Sequence, residues 1–376
     1  LAQQDEIAAL VAEISAMQEP YRRWYAELDD GMREQAQALL RGSIDMHLHC
    51  DPSPQLRVMD AFQAAEEASA AGMRAVVLKD HLTGMEESAW LAMRHADLAD
   101  TFDVFGSHWL NNQTGGWNVY AVDKAVAFGA KLVGAPTLAA YGEKLRQQGE
   151  GVHPAEIMVK SVVPMRPRVV YTLDDAGGVR PEVIECLDRI AEGGIAFGTG
   201  HLSTEEVWAC VRAAHARGVE RICITHALMT APAPPAEYRA LCEETGAVCE
   251  FTTFQVLSLG DALADTVRGI GVEHVTLSTD AGLKGTAPGV PAYLWMLARL
   301  VEAGFTEAEI DVMSKDVPRR LLGLEAALGG SAHLTPASID ALVAAGYDWV
   351  WLDCQHGPYD EAAAAAVLRD LAGVPY

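Results

Sequence analysis

Apolar positions over residues 5–41 recur three and four apart in "EIAALVAEISAM" and "GMREQAQALLRG", which predicts two helices. Pro20 is expected to interrupt them and Gly42 to end the second. From residue 44 the period changes. Short runs rich in β-branched or small apolar residues follow: "IDMHLH" (44–49), "RAVVLKD" (74–80), "DVFGSHW" (103–109) and "AKLVGAPT" (130–137). "GIAFGTGH" (194–201), "RICITH" (221–226), "AVCEFTT" (247–253) and "HVTLSTD" (274–280) complete the set. Most are separated by amphipathic stretches such as "TEEVWACVRAAHARG". Eight strands alternating with helices predict an α/β chain folded as a (β/α)8 TIM barrel, with an open doubly wound sheet as the runner-up. No Gly-rich nucleotide fingerprint follows the first strand.

Two segments break the alternation. Residues 141–180 read as an insertion between strands four and five, near the mouth of the barrel, with "VVYTL" as a strand and "DDAGG" as its turn. Residues 329–376 begin with a linker-like "GGSAHLTP" and continue as helix, strand, helix. The expected organisation is N-terminal helices over 1–42, a barrel over 43–328, and a C-terminal αβα extension over 329–376.

Composition narrows the function classes. Hydrophobic residues make up 50% of the 376 and charged residues 21%, a globular balance. The net charge of −24 argues against nucleic-acid or anionic-membrane partners and leaves a small-molecule substrate as the expected one. No apolar run reaches the roughly 18–20 residues of a membrane helix. "LAQQDEIAALVAEI" has no basic or long apolar region, so no signal peptide is expected, although the sequence begins at Leu1 rather than Met. Seven scattered cysteines with no C-x-x-C pair suit reduced thiols and a cytoplasmic protein. Homo-oligomerisation is left open.

The candidate chemistry lies at strand ends, where a (β/α)8 barrel places its active site. In "IDMHLHCD" strict alternation puts Asp45, His47, His49 and Asp51 on one face of the first strand. The fifth strand ends in His201, the sixth in His226 and the eighth in Asp280. Four imidazoles and a carboxylate suit a borderline divalent ion: Zn2+ first, then Mn2+, Fe2+ or Ni2+. Lys79 and His81, alternating in "VVLKDH", share a face at the end of the second strand and are candidates for catalysis and substrate binding. Arg180, beside the turn of the insertion, could pair with a carboxylate. Asp45 is expected to orient a ligand histidine rather than bind metal.

H-x-H on the first strand, His on the fifth and sixth and Asp on the eighth resemble the amidohydrolase superfamily of metal-dependent hydrolases. "GTGHLSTEEV", "ITHAL" and "LSTDAG", with "IDMHLHCDPS", are similar to an uncharacterised bacterial group within it, over about 44–325. The resemblance implies a metal held by His47, His49, His201, His226 and Asp280, with Asp280 as proton shuttle. Two-metal members carry a bridging Lys or Glu on the fourth or third strand. Here those strands end "GAPT" and "GSHW", with neither residue. One and two ions both stay open, and Lys79 stays open as a bridge, an anion clamp or a structural partner of Asp45 or Asp51. "YDWVWLDCQHGPYD" is similar to the early part of the HpcH/HpaI-type aldolases, where His356 would match the catalytic base, but Gln355 stands where an acid is usual. The tail then reads as a truncated second domain or a remnant. The expected function is metal-dependent hydrolysis of an amide, lactone or related carbonyl bond, with a metal-dependent decarboxylase or lyase and a non-catalytic binding barrel as alternatives.

Overall fold

A computed structural model describes residues 2–150, 154–160, 168–324, 329–331 and 349–351. Eight parallel strands form one sheet in sequence order: β1 (Ile44–His49), β2 (Ala75–Lys79), β3 (Asp103–Trp109), β4 (Leu132–Gly134), β5 (Ala196–Gly198), β6 (Ile222–Ile224), β7 (Val248–Thr252) and β8 (Val275–Ser278). All lie inside the runs that the sequence pattern marks out. The sheet closes where His49 N donates to Ala281 O (2.9 Å) and Asp280 N to His47 O (2.9 Å). The molecule is a (β/α)8 barrel.

The helices are α1 (Ala2–Glu27) and α2 (Asp30–Leu40) before β1, then α3 (Ala61–Ala70), α4 (Glu86–His95) and α5 (Val119–Ala127) after β1, β2 and β3. Between β4 and β5 stand α6 (Tyr141–Glu150), α7 (Pro154–Ile157) and α8 (Pro181–Glu192). α9 (Thr204–Ala216) and α10 (Pro235–Thr245) follow β5 and β6, and α11 (Thr253–Ser258) and α12 (Leu263–Ile270) follow β7. α13 (Gly289–Glu302), α14 (Glu307–Asp311) and α15 (Val317–Leu321) complete the layer. Several starts are fixed by reciprocal caps: Asp60 with Gln63 opens α3, and Ser203 with Glu206 opens α9.

Three local expectations change. Pro20 does not interrupt the first helix: α1 runs through it, and the break comes at Leu28 and Asp29, where the Asp29 carboxylate caps α2 by accepting from Met32 N (2.9 Å). β1 does not alternate strictly, because its pairing with β2 gains one residue between Asp45 and Leu48, a bulge at Met46 and His47. "VVYTL" is not a continuous strand: Val170 bridges to Ala140 and Leu173 to Val179, around the expected turn.

Residues 1–322 make one compact unit. In the second, 323–376, Gly329–Ser331 pairs in parallel with Trp349–Trp351. The rest of the tail, including Gln355 and His356, lies outside the described residues.

Candidate metal centre and active site

His49, the last residue of β1, lines a cavity of about 320 Å3 at the C-terminal end of the barrel. Arg57, His81, His201, His226 and Asp280 share its lining with His49. The outer wall is apolar: Phe254, Leu257 and Trp295 face it from the barrel, Met17 and Tyr21 from α1. α1 is tied to the loop after β8, where Ala287 N donates to Gln18 Oε1 (2.7 Å) and Ser15 Oγ to Gly285 O (3.2 Å).

Five imidazoles form a closed ring. Centroids are 5.2 Å apart for His47 and His49, 4.8 Å for His49 and His81, and 5.8 Å for His81 and His201. The ring closes at 5.3 Å from His201 to His226 and 5.0 Å from His226 to His47. Asp280 sits against it. Its Oδ1 lies 3.0 Å from His47 Nε2 and 3.2 Å from His49 Nε2, and its Oδ2 is 3.9 Å from His226 Nε2. Burial would raise the Asp280 carboxyl, but His47 and His226 hold it well below the usual carboxylate range. Burial pushes His49 and His81 well below the ordinary imidazole value and His226 down to about 3. These rings are therefore neutral at pH 7, as metal ligands must be.

Behind the ring stands Glu250 of β7. Its Oε1 accepts from His47 Nδ1 (3.0 Å) and Ser278 Oγ (2.9 Å), and its Oε2 accepts from His226 N (3.1 Å). Burial would raise Glu250, but His47, His226 and Lys79 hold it down to about 2. A carboxylate on Nδ1 fixes that ring, as is usual for ligand histidines, and turns its Nε2 toward Asp280 and Lys79. On the far side Glu143 Oε2 accepts from His201 Nδ1 (3.1 Å). His81 Nδ1 lies 2.8 Å from Thr137 Oγ1, and Asn111 fixes that hydroxyl and the His81 carbonyl, both at 2.7 Å.

Lys79 is fully buried. Its Nζ lies 2.6 Å from His47 Nε2 and 4.4 Å over the Trp109 ring. Burial lowers its amine to about 8 against the pull of Asp280 and Glu250. For His47, burial and Lys79 push down, but Glu250 and Asp280 outweigh them and raise it.

Among the described residues, two groups place metal-competent atoms within 4.8 Å of one another: His47, His49 and Asp280, and His47, His226 and Glu250. The first fits an ion better. Its carboxylate oxygen lies 3.0 and 3.2 Å from the two nitrogens, close to the roughly 3.3 Å between ligands of a tetrahedral ion with 2.0–2.1 Å bonds. Glu250 meets the other nitrogen of His47 and therefore serves as backing.

The structure brings His47, His49, Lys79, His81, His201, His226 and Asp280 together. It does not bring Arg180 to this cavity. That residue precedes α8, with Nε 2.6 Å from Glu182 Oε1. Nor does Asp45 touch a ligand ring. Its Oδ1 accepts from His47 N (3.1 Å) and Thr279 N (3.0 Å), so it clips β1 to β8 through the backbone. Sequence reasoning missed Glu250, Glu143 and Arg57. Only Glu250 left a signal, as a lone acid inside the apolar run "AVCEFTT".

A model of a family of unknown function (DUF6282) matches residues 42–250, a span holding the four ligand-type histidines of β1, β5 and β6 and ending at Glu250, before Asp280. No curated protein matches. Among solved structures, the probable dipeptidase PvdM from Pseudomonas aeruginosa aligns with a TM-score of 0.50 at 14% identity, over 79% of this chain and 98% of that one. An amidohydrolase from Pseudomonas aeruginosa aligns with a TM-score of 0.51 at 12% identity, over 77% of this chain and 98% of that one. At such identities the likeness is one of fold.

Proposed function

The chain belongs to the DUF6282 family of unknown function, and from that premise we propose that it is a metal-dependent hydrolase acting on an amide, lactone or related carbonyl bond of a small molecule. The observation that carries this reading is the convergence of His47 Nε2, His49 Nε2 and Asp280 Oδ1 at the open end of the barrel, with Glu250 on the far nitrogen of His47. His226 and His201 extend the same donor set, and Zn2+ suits it best among divalent ions.

A bound divalent ion would polarise a carbonyl and bring the pKa of a water to about 7. The protein's own groups do the rest. Asp280, ionised at neutral pH and open to the cavity, takes the proton of the attacking water and passes it to the leaving group. Glu250 fixes the orientation of His47. His81, anchored through Thr137, and Lys79 position the substrate and balance negative charge. The probable dipeptidase and the amidohydrolase of the same fold make dipeptides and simple amides the first substrates to test.

A metal-dependent decarboxylase is the second reading, favoured by two buried cations beside the donors, Lys79 and Arg57. Metal analysis, then parallel assays of amide, lactone and dipeptide hydrolysis and of CO2 release from small acids, separates the two. Asp280→Asn is expected to lower hydrolytic turnover by about 100-fold or more. Well-folded protein with less than about 0.2 equivalent of transition metal sinks both readings.

A further inference from the structure

Arg57 has an environment that a purely structural arginine would not need. Its backbone is pinned by antiparallel pairing to Leu283 in the segment after β8, with Val58 N donating to Gly282 O (3.0 Å). Arg57 is one of the residues that line the cavity, and its side chain is almost wholly buried, 1% exposed. Nη2 donates to Asp80 Oδ2 (2.6 Å) and Gln55 Oε1 (2.7 Å). Asp80 is held in turn by Ser53 Oγ, Leu82 N (2.8 Å) and Thr83 N (3.1 Å), so the guanidinium plane cannot swing. Nε is buried and makes no hydrogen bond.

A buried ion pair is seldom worth more than the apolar packing it replaces, and an unsatisfied buried donor adds a further cost. The return lies in what the arrangement presents. A rigid guanidinium matches a carboxylate in shape and charge. It shares a small polar floor with His49 and Asp280, under a wall of Met17, Tyr21, Phe254, Leu257 and Trp295. A polar floor beneath an apolar wall selects a molecule with one charged end and an apolar body.

We propose that Arg57 holds a carboxylate of the substrate, so that the site takes small carboxylic acids with an aromatic or aliphatic body. The proposal deepens the hydrolase reading and rests on it for treating this cavity as the substrate site.

The test compares benzoate and phenylacetate with benzamide and phenylacetamide, by calorimetry and thermal shift, on the full chain with metal and after chelation. The acids are expected to bind about ten-fold tighter than their amides. Arg57→Gln alone strands the buried Asp80 charge, so the paired variant Arg57→Gln, Asp80→Asn is measured. It is expected to lose the acid preference while keeping the wild-type metal content. No acid preference in the wild type, or a preference that survives in the paired variant, overturns the proposal. Where the paired variant does not fold, Arg57→Lys replaces it: a reduced preference supports the proposal and an unchanged one overturns it. Metal content in the same samples reads the hydrolase hypothesis separately, because metal-free protein that still prefers acids through Arg57 refutes the metal and not the anchor.

Discussion

His226 and Asp280 sit at φ 50° and 52°, in the left-handed region, where side chains with a Cβ are strained. Both are candidate ligands, and each is held by a hydrogen bond to its backbone N–H: Glu250 Oε2 on His226 and His47 O on Asp280. The fold spends stability to aim these side chains into the cavity. In metal-free protein Asp280→Gly should therefore be more stable than Asp280→Ala by about 1 kcal/mol, read by urea denaturation. Equal stability would show that the backbone stores no strain there. Glu250→Gln should weaken metal binding by about 10- to 100-fold in chelator competition, because His47 loses the partner that fixes its ring. The ligand-type histidines were legible because each ends a strand. Glu250 left only the faint mark of a lone acid in an apolar run, since it sits within a strand and meets residues brought to it from β1, β6 and β8. Arg57 and Glu143 come from connecting segments whose partners are set by folding, 23 and 58 residues away from Asp80 and His201 respectively.

Two candidate ligands lie on β1 and the other three just past the ends of β5, β6 and β8, and the connections support them. Gly282, φ 110°, lies directly after the β1–β8 closure, and a Cβ there would meet His49 O at 1.8 Å. Gly282→Ala is expected to unfold the closure or displace His49, with a loss of several kcal/mol of about the size of other severe backbone clashes; wild-type stability and metal content would contradict this. The end of β3 tells a different story. His108 Nδ1 lies 3.0 Å from Glu86 Oε1 at the start of α4, and Lys124 Nζ of α5 lies 3.0 Å from the same oxygen. Burial would raise the Glu86 carboxyl, but His108 and Lys124 bring it below its ordinary 4.5. A depressed acid stabilises the fold above its unfolded pKa and loses that contribution as pH falls through the folded one. The stability gap between wild type and Glu86→Gln should shrink as pH falls below 4.5. A gap independent of pH would dismiss the pairing. Element identity followed the hydrophobic period at all eight strands. It failed at Pro20, where packing of α1 overrides a local breaker, and at the β1 bulge, which no alternation count detects.

At the scale of the molecule, one barrel presents a donor set from β1, β5, β6 and β8, backed by β7 and roofed by α1. Among the described residues no helix is long and apolar enough to cross a membrane. Ion binding should stabilise the folded chain by mass action, so chelation should lower Tm and added Zn2+ restore it, in a concentration-dependent way. An unchanged Tm across that series would remove the metal from the account. The barrel itself could be read from the rhythm of the chain. The floor of the cavity could not, because it is assembled from residues far apart in sequence whose meeting is fixed only when β1 closes on β8.

The ring of five imidazoles has a practical consequence for anyone who isolates this protein. Imidazole nitrogens so close together would attract any late first-row ion, and affinity along that row follows the chemistry of the ion rather than the needs of the protein. Nickel shed by an affinity resin, or copper from a buffer, would be captured as readily as the ion supplied in the cell. The metal found in a purified sample would then report its history of exposure. Preparations without a nickel column, grown in media of defined metal supply, are the ones whose content speaks for the protein.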